Sequence, residues 1–170
     1  CKLCEAVDPM HYIRGFHTTG TMGIFGATAV ASRLHGLTTE QTQHALGLAA
    51  SMAAGLRSNF GSMAKPLHPA RAAESGVMAA ELAKRGFTAK LDALEAPGGF
   101  FKTVAGDQRP DDPHLKENPL WGYASTGSAG VMPERVLGRL GAPWSIVSPG
   151  ISIKPWPSVV LSHPSMAALL

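Results

Sequence analysis

The sequence predicts a mainly α-helical chain that ends in the start of a smaller α+β unit. Three Ala- and Gly-rich segments between residues 22 and 85 carry apolar residues at helical spacing, and a glycine follows each of them. β-branched residues alternating with Pro and Gly are few until "WSIVSPGISIKPWPSVVL", which begins at Trp144. We therefore expect residues 1–148 to be part of an all-helical domain and residues 149–170 to begin the α+β domain.

The three main helices are predicted from their spacing and their ends. The segment "MGIFGATAVASRLH" predicts a helix over Met22–His35, which Gly36 would end. The second helix follows Thr38, which stands three residues before Gln41, the spacing of a capping box. The third is expected over Pro69–Arg85. Since Ala and Gly have the smallest side chains, these helices can pack closely.

The rest of the chain carries weaker signals. Short helices are expected around Phe100–Val104 and Pro133–Leu140, and the stretch between Glu95 and Pro143 otherwise shows little periodicity. The final residues "HPSMAALL" resemble a helix start followed by one apolar turn. Because a domain rarely ends there, we expect the chain to be a piece of a longer protein.

The composition argues against several classes of protein. Apolar residues make up 45% and charged residues 16%, as in a globular chain. The net charge of +3 comes from 15 basic and 12 acidic residues without a basic patch, so we expect no nucleic-acid partner. No run approaches the length of a membrane span. The start "CKLCEAVDP" has no apolar h-region, so we expect a cytoplasmic protein.

Cys1 and Cys4 form a CxxC motif at the start of the chain. A redox or zinc role would need a helix N-terminus after a strand, or a second pair of ligands, and the sequence shows neither. Ordinary buried or half-buried thiols are the better interpretation. Since no Cys/His/Asp cluster has ligand spacing, we expect no metal site.

The stretch "KPLHPARAA" places three basic groups, Lys65, His68 and Arg71, where a helix begins. The N-terminal end of a helix carries partial positive charge and favours anions, so added cations cost stability unless an anion lies there. This predicts a site for a carboxylate or phosphate. The alternative is a solvated basic turn in which His68 serves as an N-cap-like residue.

The stretch "GFHTTGTMG" places His17 in a Gly- and Thr-rich turn before a helix. Hydroxyls and backbone N–H groups there could bind an oxyanion while the imidazole transfers a proton. The alternative is that Thr18 or Thr19 caps the helix and His17 is a surface residue of the turn.

Two further candidates lie near the C-terminal end. Lys154 stands between a β-like run and a Pro-Trp-Pro turn, where it could instead protect an edge strand. His163 precedes a helix start and could simply belong to that turn. Basic and imidazole groups at turns, without acidic neighbours, suit a small substrate with several carboxylates.

Four segments together resemble the MmgE/PrpD family, in the order that the family has them. They are "HYIRGFHTTGTMGIFGATAVASRLHGLTTEQTQHALGLAASMAAGL", "MAKPLHPARAAESGVMAAELAKRGFT", "LEAPGGFF" and "PGISIKPWPS" with its following "SHP". The family includes 2-methylcitrate dehydratase, cis-aconitate decarboxylase and iminodisuccinate epimerase. The resemblance implies a helical domain and a smaller α+β domain, usually in a homodimer, with the active site between the domains and no metal or organic cofactor.

The resemblance also implies a function and a set of site residues. We expect a lyase or isomerase that dehydrates, decarboxylates or epimerises a small di- or tricarboxylate. The expected catalytic residues are His17, Lys65 and Lys154, and the expected substrate-binding residues are Thr19, His68, Arg71 and His163.

The chain departs from the family pattern in ways that leave two other interpretations open. Threonine stands at position 18 where the family usually has proline, and the helices that precede this region in the family are absent. We therefore expect these 170 residues alone to be inactive and to self-associate. The alternatives are a non-catalytic fragment that keeps the helical core and a generic anion-binding module.

Overall fold

The computed structural model describes residues 2–8, 10–106, 134–138, 141, 144, 147, 153–155 and 163–168. The chain forms two compact units, Cys1–Gly138 and Arg139–Leu170, and each is described by itself. The domain boundary expected at residue 148 stays a prediction.

The described residues are mainly helical, as the sequence predicts, and contain no strand beyond one isolated bridge between Phe16 and Leu56. A 3-10 turn over Arg57–Asn59 separates two of the long helices. The helices of the first unit are α1 (Lys2–Glu5), α2 (Met10–Ile13), α3 (Thr18–Leu34), α4 (Thr39–Met52), α5 (Ala64–Lys84), α6 (Phe100–Ala105) and α7 (Glu134–Leu137). The second unit contains α8 (His163–Ala167).

Helix α4 begins with the capping box that its sequence predicts. The Gln41 backbone N–H donates to the Thr38 hydroxyl at 3.2 Å, and the Thr38 backbone N–H donates to the Gln41 side-chain oxygen at 3.0 Å. These bonds satisfy two donors near the start of the helix, which typically contributes about 1 kcal/mol.

Helices α3 and α5 both begin earlier than the sequence indicates. Helix α3 begins at Thr18 rather than Met22, so the Gly- and Thr-rich stretch is its first turn. Helix α5 begins at Ala64, and Pro69, expected to open the helix, lies inside it. Because proline lacks a backbone N–H, Pro69, the sixth residue of α5, cannot donate to the Lys65 carbonyl four residues earlier.

Small residues allow α3 and α5 to pack closely, with Gly76 of α5 against the Ala27 side chain and the Ile24 backbone of α3. A methyl group added at Gly76 of α5 would lie 2.5 Å from the Ala27 Cβ and 2.7 Å from the Ile24 carbonyl oxygen of α3. Behind this contact, Phe25 packs edge-on against Phe100 of α6, with ring centroids 4.9 Å apart. The core also contains Val7, Met10, Leu48, Ala72, Ala79 and Val104.

Replacing Gly76 by alanine is expected to destabilise the fold by about 1–3 kcal/mol, because the added methyl forces the two helices apart. Gly26→Ala on α3 is the matched control, since a methyl there meets nothing within 4 Å. That control should stabilise the protein by about 0.5–1 kcal/mol, because alanine is the better helix former. Urea unfolding of both variants measures the difference. Equal stability of the two would contradict this packing.

The remaining sequence predictions have mixed outcomes. Helix α6 confirms the helix expected around Phe100, and α8 begins at His163, as expected. Of the helix expected over Pro133–Leu140, the structure describes Glu134–Leu137. Most of the stretch from Trp144 to Leu161, where strands are expected, lies outside the described residues. Within the described part of the chain, no helix is long and apolar enough to cross a membrane.

The cysteine motif gives no sign of a reactive thiolate. Burial, with a smaller contribution from Asp8, raises the pKa of the half-buried Cys4 thiol to about 11. Cys1 lies outside the described residues. The thiol of Cys4 is therefore protonated at neutral pH, which favours the ordinary interpretation of this residue.

Candidate active site

Backbone hydrogen bonds tie the turn before α3 to the loop after α4. Around the bridge between Phe16 and Leu56, the His17 N–H donates to the Gly55 carbonyl at 2.9 Å. The Arg57 N–H donates to the Gly15 carbonyl at 2.8 Å. These bonds place His17 beside the segment that leads into α5.

His17 is the N-cap of α3, and its side chain points inward. Its backbone is extended, with φ −88° and ψ 103°, and its side chain makes no capping bond. The residue is only 8% exposed, and its carbonyl accepts the backbone N–H groups of Gly20 and Thr21. The alternative in which Thr18 or Thr19 caps the helix and His17 is a surface residue is therefore wrong.

The imidazoles of His17 and His68 form a hydrogen-bonded pair. Their Nδ1 atoms lie 2.8 Å apart, so one of them donates a proton and the other accepts it. If both rings were charged, both Nδ1 atoms would be donors and this bond could not form. While the contact holds, the pair therefore carries at most one positive charge.

The surroundings of His17 favour its neutral form. Burial lowers the pKa of His17 below its ordinary value, and charge on His68 and Lys65 lowers it further. A histidine with a depressed pKa is uncharged at neutral pH and can accept or pass on a proton.

Phe60 connects His17 with Lys65. The edge of one ring meets the face of the other, with the centroids of His17 and Phe60 4.8 Å apart. The Lys65 ammonium lies 4.7 Å from the centroid of the same Phe60 ring. The structure thus brings together three residues that the sequence singles out, His17, Lys65 and His68.

Two glycines make room for the His68 side chain. A methyl at Gly20 would lie 2.7 Å from the Ala54 carbonyl oxygen and 3.0 Å from the His68 Cβ. A methyl at Gly55 would lie 3.3 Å from the His68 Cγ, and the φ of +134° at Gly55 is rare for residues with a side chain. His68 lies within α5, so the alternative in which it serves as an N-cap-like residue is also wrong.

A pocket of about 290 Å³ opens beside His68. His68, Arg71 and the buried Ser75 line it from α5, and Asn59 lines it from the 3-10 turn. The Arg71 guanidinium forms an exposed ion pair with Glu74 on the same helix, so the expectation that the basic groups have no acidic neighbours is wrong for Arg71. Among the described residues, the pocket lining includes neither His17 nor Lys65. The volume is near the lower end of the range for small-molecule sites.

The other expected site residues lie apart from this cluster or in the second unit. Thr19 is exposed in the first turn of α3. In the second unit, Lys154 is exposed and His163 is buried at the start of α8. Their expected roles stay predictions.

Sequence reasoning missed two residues behind His17. His11 of α2 is 1% exposed, and its Nε2 forms a short hydrogen bond with the hydroxyl of Thr21, also 1% exposed. The His11 ring also stacks on Phe16, with centroids 5.2 Å apart. The spacing of these residues in the sequence gives no signal, because the contact depends on how α2 packs on α3.

The cluster can bind an anion and transfer a proton. Lys65 and Arg71 are cations, and His17 with His68 holds a proton between two nitrogens. In the part of the chain that the structure describes, no three His, Cys, Asp or Glu side chains are arranged to hold a metal ion.

These features describe a helical domain in which basic side chains and a histidine pair meet where one helix begins beside another. The chain belongs to the MmgE/PrpD family, since the model of the MmgE/PrpD N-terminal domain matches residues 1–112. It is 35% identical over 85 residues to human cis-aconitate decarboxylase, a match that covers 50% of this chain and 18% of that enzyme.

Two other relatives carry the same name. Mouse cis-aconitate decarboxylase is 32% identical over 106 residues, which cover 62% of this chain and 22% of the mouse enzyme. The enzyme of Aspergillus terreus is 31% identical over 113 residues, which cover 65% of this chain and 23% of that enzyme. The matched part of the chain thus spans about a fifth of the length of these relatives.

Proposed function

We propose that this chain supplies the helical side of the active site in a lyase that decarboxylates cis-aconitate or a closely related small carboxylate. The observation that carries the proposal is the convergence of His17, His68 and Lys65 in a chain related to three cis-aconitate decarboxylases. Dehydration and epimerisation of similar acids, which occur in the family, are the competing reactions.

Lys65 and Arg71 suit the binding of carboxylates. Each presents a cation on α5, and Lys65 lies in its first turn, where the helix end also favours negative charge. Arg71 lies within the pocket lining, and its partner Glu74 is exposed, so a substrate carboxylate can replace that weak ion pair. In the proposal, Lys65 holds the carboxylate nearest to His17.

Decarboxylation needs a proton at carbon, which the histidine pair can supply. When the bond to the leaving carboxylate breaks, carbon dioxide departs and its electron pair stays in the substrate, shifting the double bond. The carbon that receives this electron pair takes the proton of His17 Nε2, while His17 Nδ1 takes the shared proton from His68. A singly charged pair thus becomes neutral, and solvent returns the proton afterwards.

The same pair can also work in the opposite direction. If His17 Nδ1 donates to His68, then His17 Nε2 is unprotonated and can remove a proton next to a carboxylate. Dehydration and epimerisation begin with that step. The tautomer of the pair, set by the bound substrate, therefore distinguishes the leading reaction from its competitors.

The proposal extends to the residues and properties that the resemblance implies. Lys154 would be catalytic, while Thr19 and His163 would contact the substrate. The enzyme would act without a metal or organic cofactor, because the chemistry above uses only lysine and histidine. The proposal also includes the homodimer that the resemblance implies and a cytoplasmic location.

The test is a substrate screen with the full-length protein. Purified protein is incubated with cis-aconitate, 2-methylcitrate and iminodisuccinate, and products are followed by NMR together with the release of carbon dioxide. We expect carbon dioxide from cis-aconitate and a His17→Ala variant that is folded but at least about a hundredfold slower. Binding of these acids without turnover would instead support the anion-binding module, and neither binding nor turnover would support the non-catalytic interpretation.

A further inference from the structure

A third histidine, His11, lies behind the site and takes no part in the proposed chemistry. It is 1% exposed and belongs to α2, whereas His17 follows the turn after that helix. A buried imidazole costs free energy unless its polar atoms have partners. The partner of His11 Nε2 is the Thr21 hydroxyl on α3.

The hydrogen bonds around Thr21 determine which nitrogen of His11 carries the proton. The Thr21 hydroxyl donates its only hydrogen to the His17 carbonyl, at 3.2 Å. It can therefore only accept from His11, which must carry its proton on Nε2. The chain of bonds runs from His11 through the Thr21 hydroxyl to the His17 backbone.

These hydrogen bonds hold the backbone of His17, whose ring contacts His68. The His17 carbonyl already accepts the backbone N–H of Gly20 at 2.9 Å and that of Thr21 at 3.0 Å. The Thr21 hydroxyl adds a third donor from the same turn. On its other side, the His17 N–H donates to Gly55. The backbone of His17 is thus held from both sides, and His11 anchors one of them.

We propose that His11 is a positioning residue for the reaction, which acts through the Thr21 hydroxyl to hold His17 in contact with His68. The part about the reaction rests on the proposed function, whereas the part about the geometry of His17 does not. The role requires that His11 stay neutral, because a proton on Nδ1 as well would place a full charge in the core.

The surroundings keep His11 neutral. Burial, with a smaller contribution from charge on His17, lowers the pKa of His11 to about 4. At neutral pH, His11 therefore serves as a fixed donor and does not exchange protons with the site.

The test compares variants that remove the hydrogen bond with variants that keep it. His11→Leu removes the donor and Thr21→Val removes the hydroxyl at nearly constant shape. His11→Gln places an amide N–H2 near the position of Nε2, and Thr21→Ser keeps the hydroxyl. Each variant of the full-length protein is assayed for kcat and KM on cis-aconitate, and its histidine ring nitrogens are titrated by 15N NMR.

We expect His11→Leu and Thr21→Val each to lower kcat by about tenfold to a hundredfold with little change in KM. The double variant should be no slower than the slower single variant, because both changes break the same chain of bonds. The His17 nitrogen shifts should move in both single variants, while His11→Gln and Thr21→Ser should stay close to the unchanged protein.

Two results would overturn the proposal. One is a His11→Gln variant as impaired as His11→Leu, and the other is a set of unchanged His17 shifts in Thr21→Val. If the unchanged protein shows no turnover, the proposed function fails, but the NMR titration still decides whether His11 positions His17.

Discussion

Replacing Lys65 by alanine in the full-length protein is expected to lower kcat by about a hundredfold or more while the melting temperature barely moves. The reason is that, in the proposed reaction, the ammonium stabilises the negative charge that develops on the substrate as the bond to the leaving carboxylate breaks. In the absence of substrate, the side chain is half-buried and its described contact is the face of Phe60. Loss of that contact costs about 0.5–1 kcal/mol.

The matched control is Lys84→Ala, at the opposite end of the same helix, where the lysine is exposed. It removes the same charge but should leave kcat unchanged. Steady-state kinetics and thermal unfolding are measured on both variants. An unchanged rate together with a lowered melting temperature in Lys65→Ala would assign Lys65 to structure instead.

The helices could be predicted where pattern and packing agree. The capping box at Thr38 is complete within four residues, so the start of α4 follows from the sequence alone. The starts of α3 and α5 could not be predicted in the same way. Gly and Thr before Met22, and Pro69 inside α5, are local signals for a turn, but packing of α3 on α5 extends both helices through them.

The candidate site lies at the starts of α3 and α5, the two helix starts that the sequence does not predict correctly. Gly20 is unfavourable in a helix, but its missing side chain is what admits His68 beside the Ala54 carbonyl. Small residues such as Gly20 allow close packing there, but they have low helix propensity and so weaken the helical pattern in the sequence. Lys65, His68 and Arg71 could still be predicted as candidates, because cations at a helix start conflict with the helix dipole.

The contacts around the site residues could not be predicted from spacing. Phe60 joins His17 to Lys65 because the bridge between Phe16 and Leu56 folds one segment against the other. Thr21 joins His11 to His17 because α2 packs on α3. An aromatic residue in a loop and a threonine in a helix have no distinctive local pattern. Their roles follow from tertiary contacts alone.

Acidification from pH 6.5 to pH 4 is expected to lower the free energy of unfolding by about 2–3 kcal/mol through His11 alone. Burial lowers the pKa of His11 from 6.5 to about 4, so between these values the unfolded chain binds a proton that the folded chain does not. Stability from this residue is therefore complete above pH 6.5 and is lost as the pH falls. His17, whose pKa is also lowered, adds to the loss in the same direction.

His11→Gln separates this effect from other acid-sensitive groups, since the amide keeps a donor for Thr21 but does not titrate. Urea unfolding of both proteins between pH 4 and pH 7 measures the slope. The variant should lose the pH dependence that His11 causes and keep the part due to His17. Parallel curves for the two proteins would mean that His11 accepts a proton as readily in the fold as in the unfolded chain, and its assignment as a neutral, fixed donor would then be wrong.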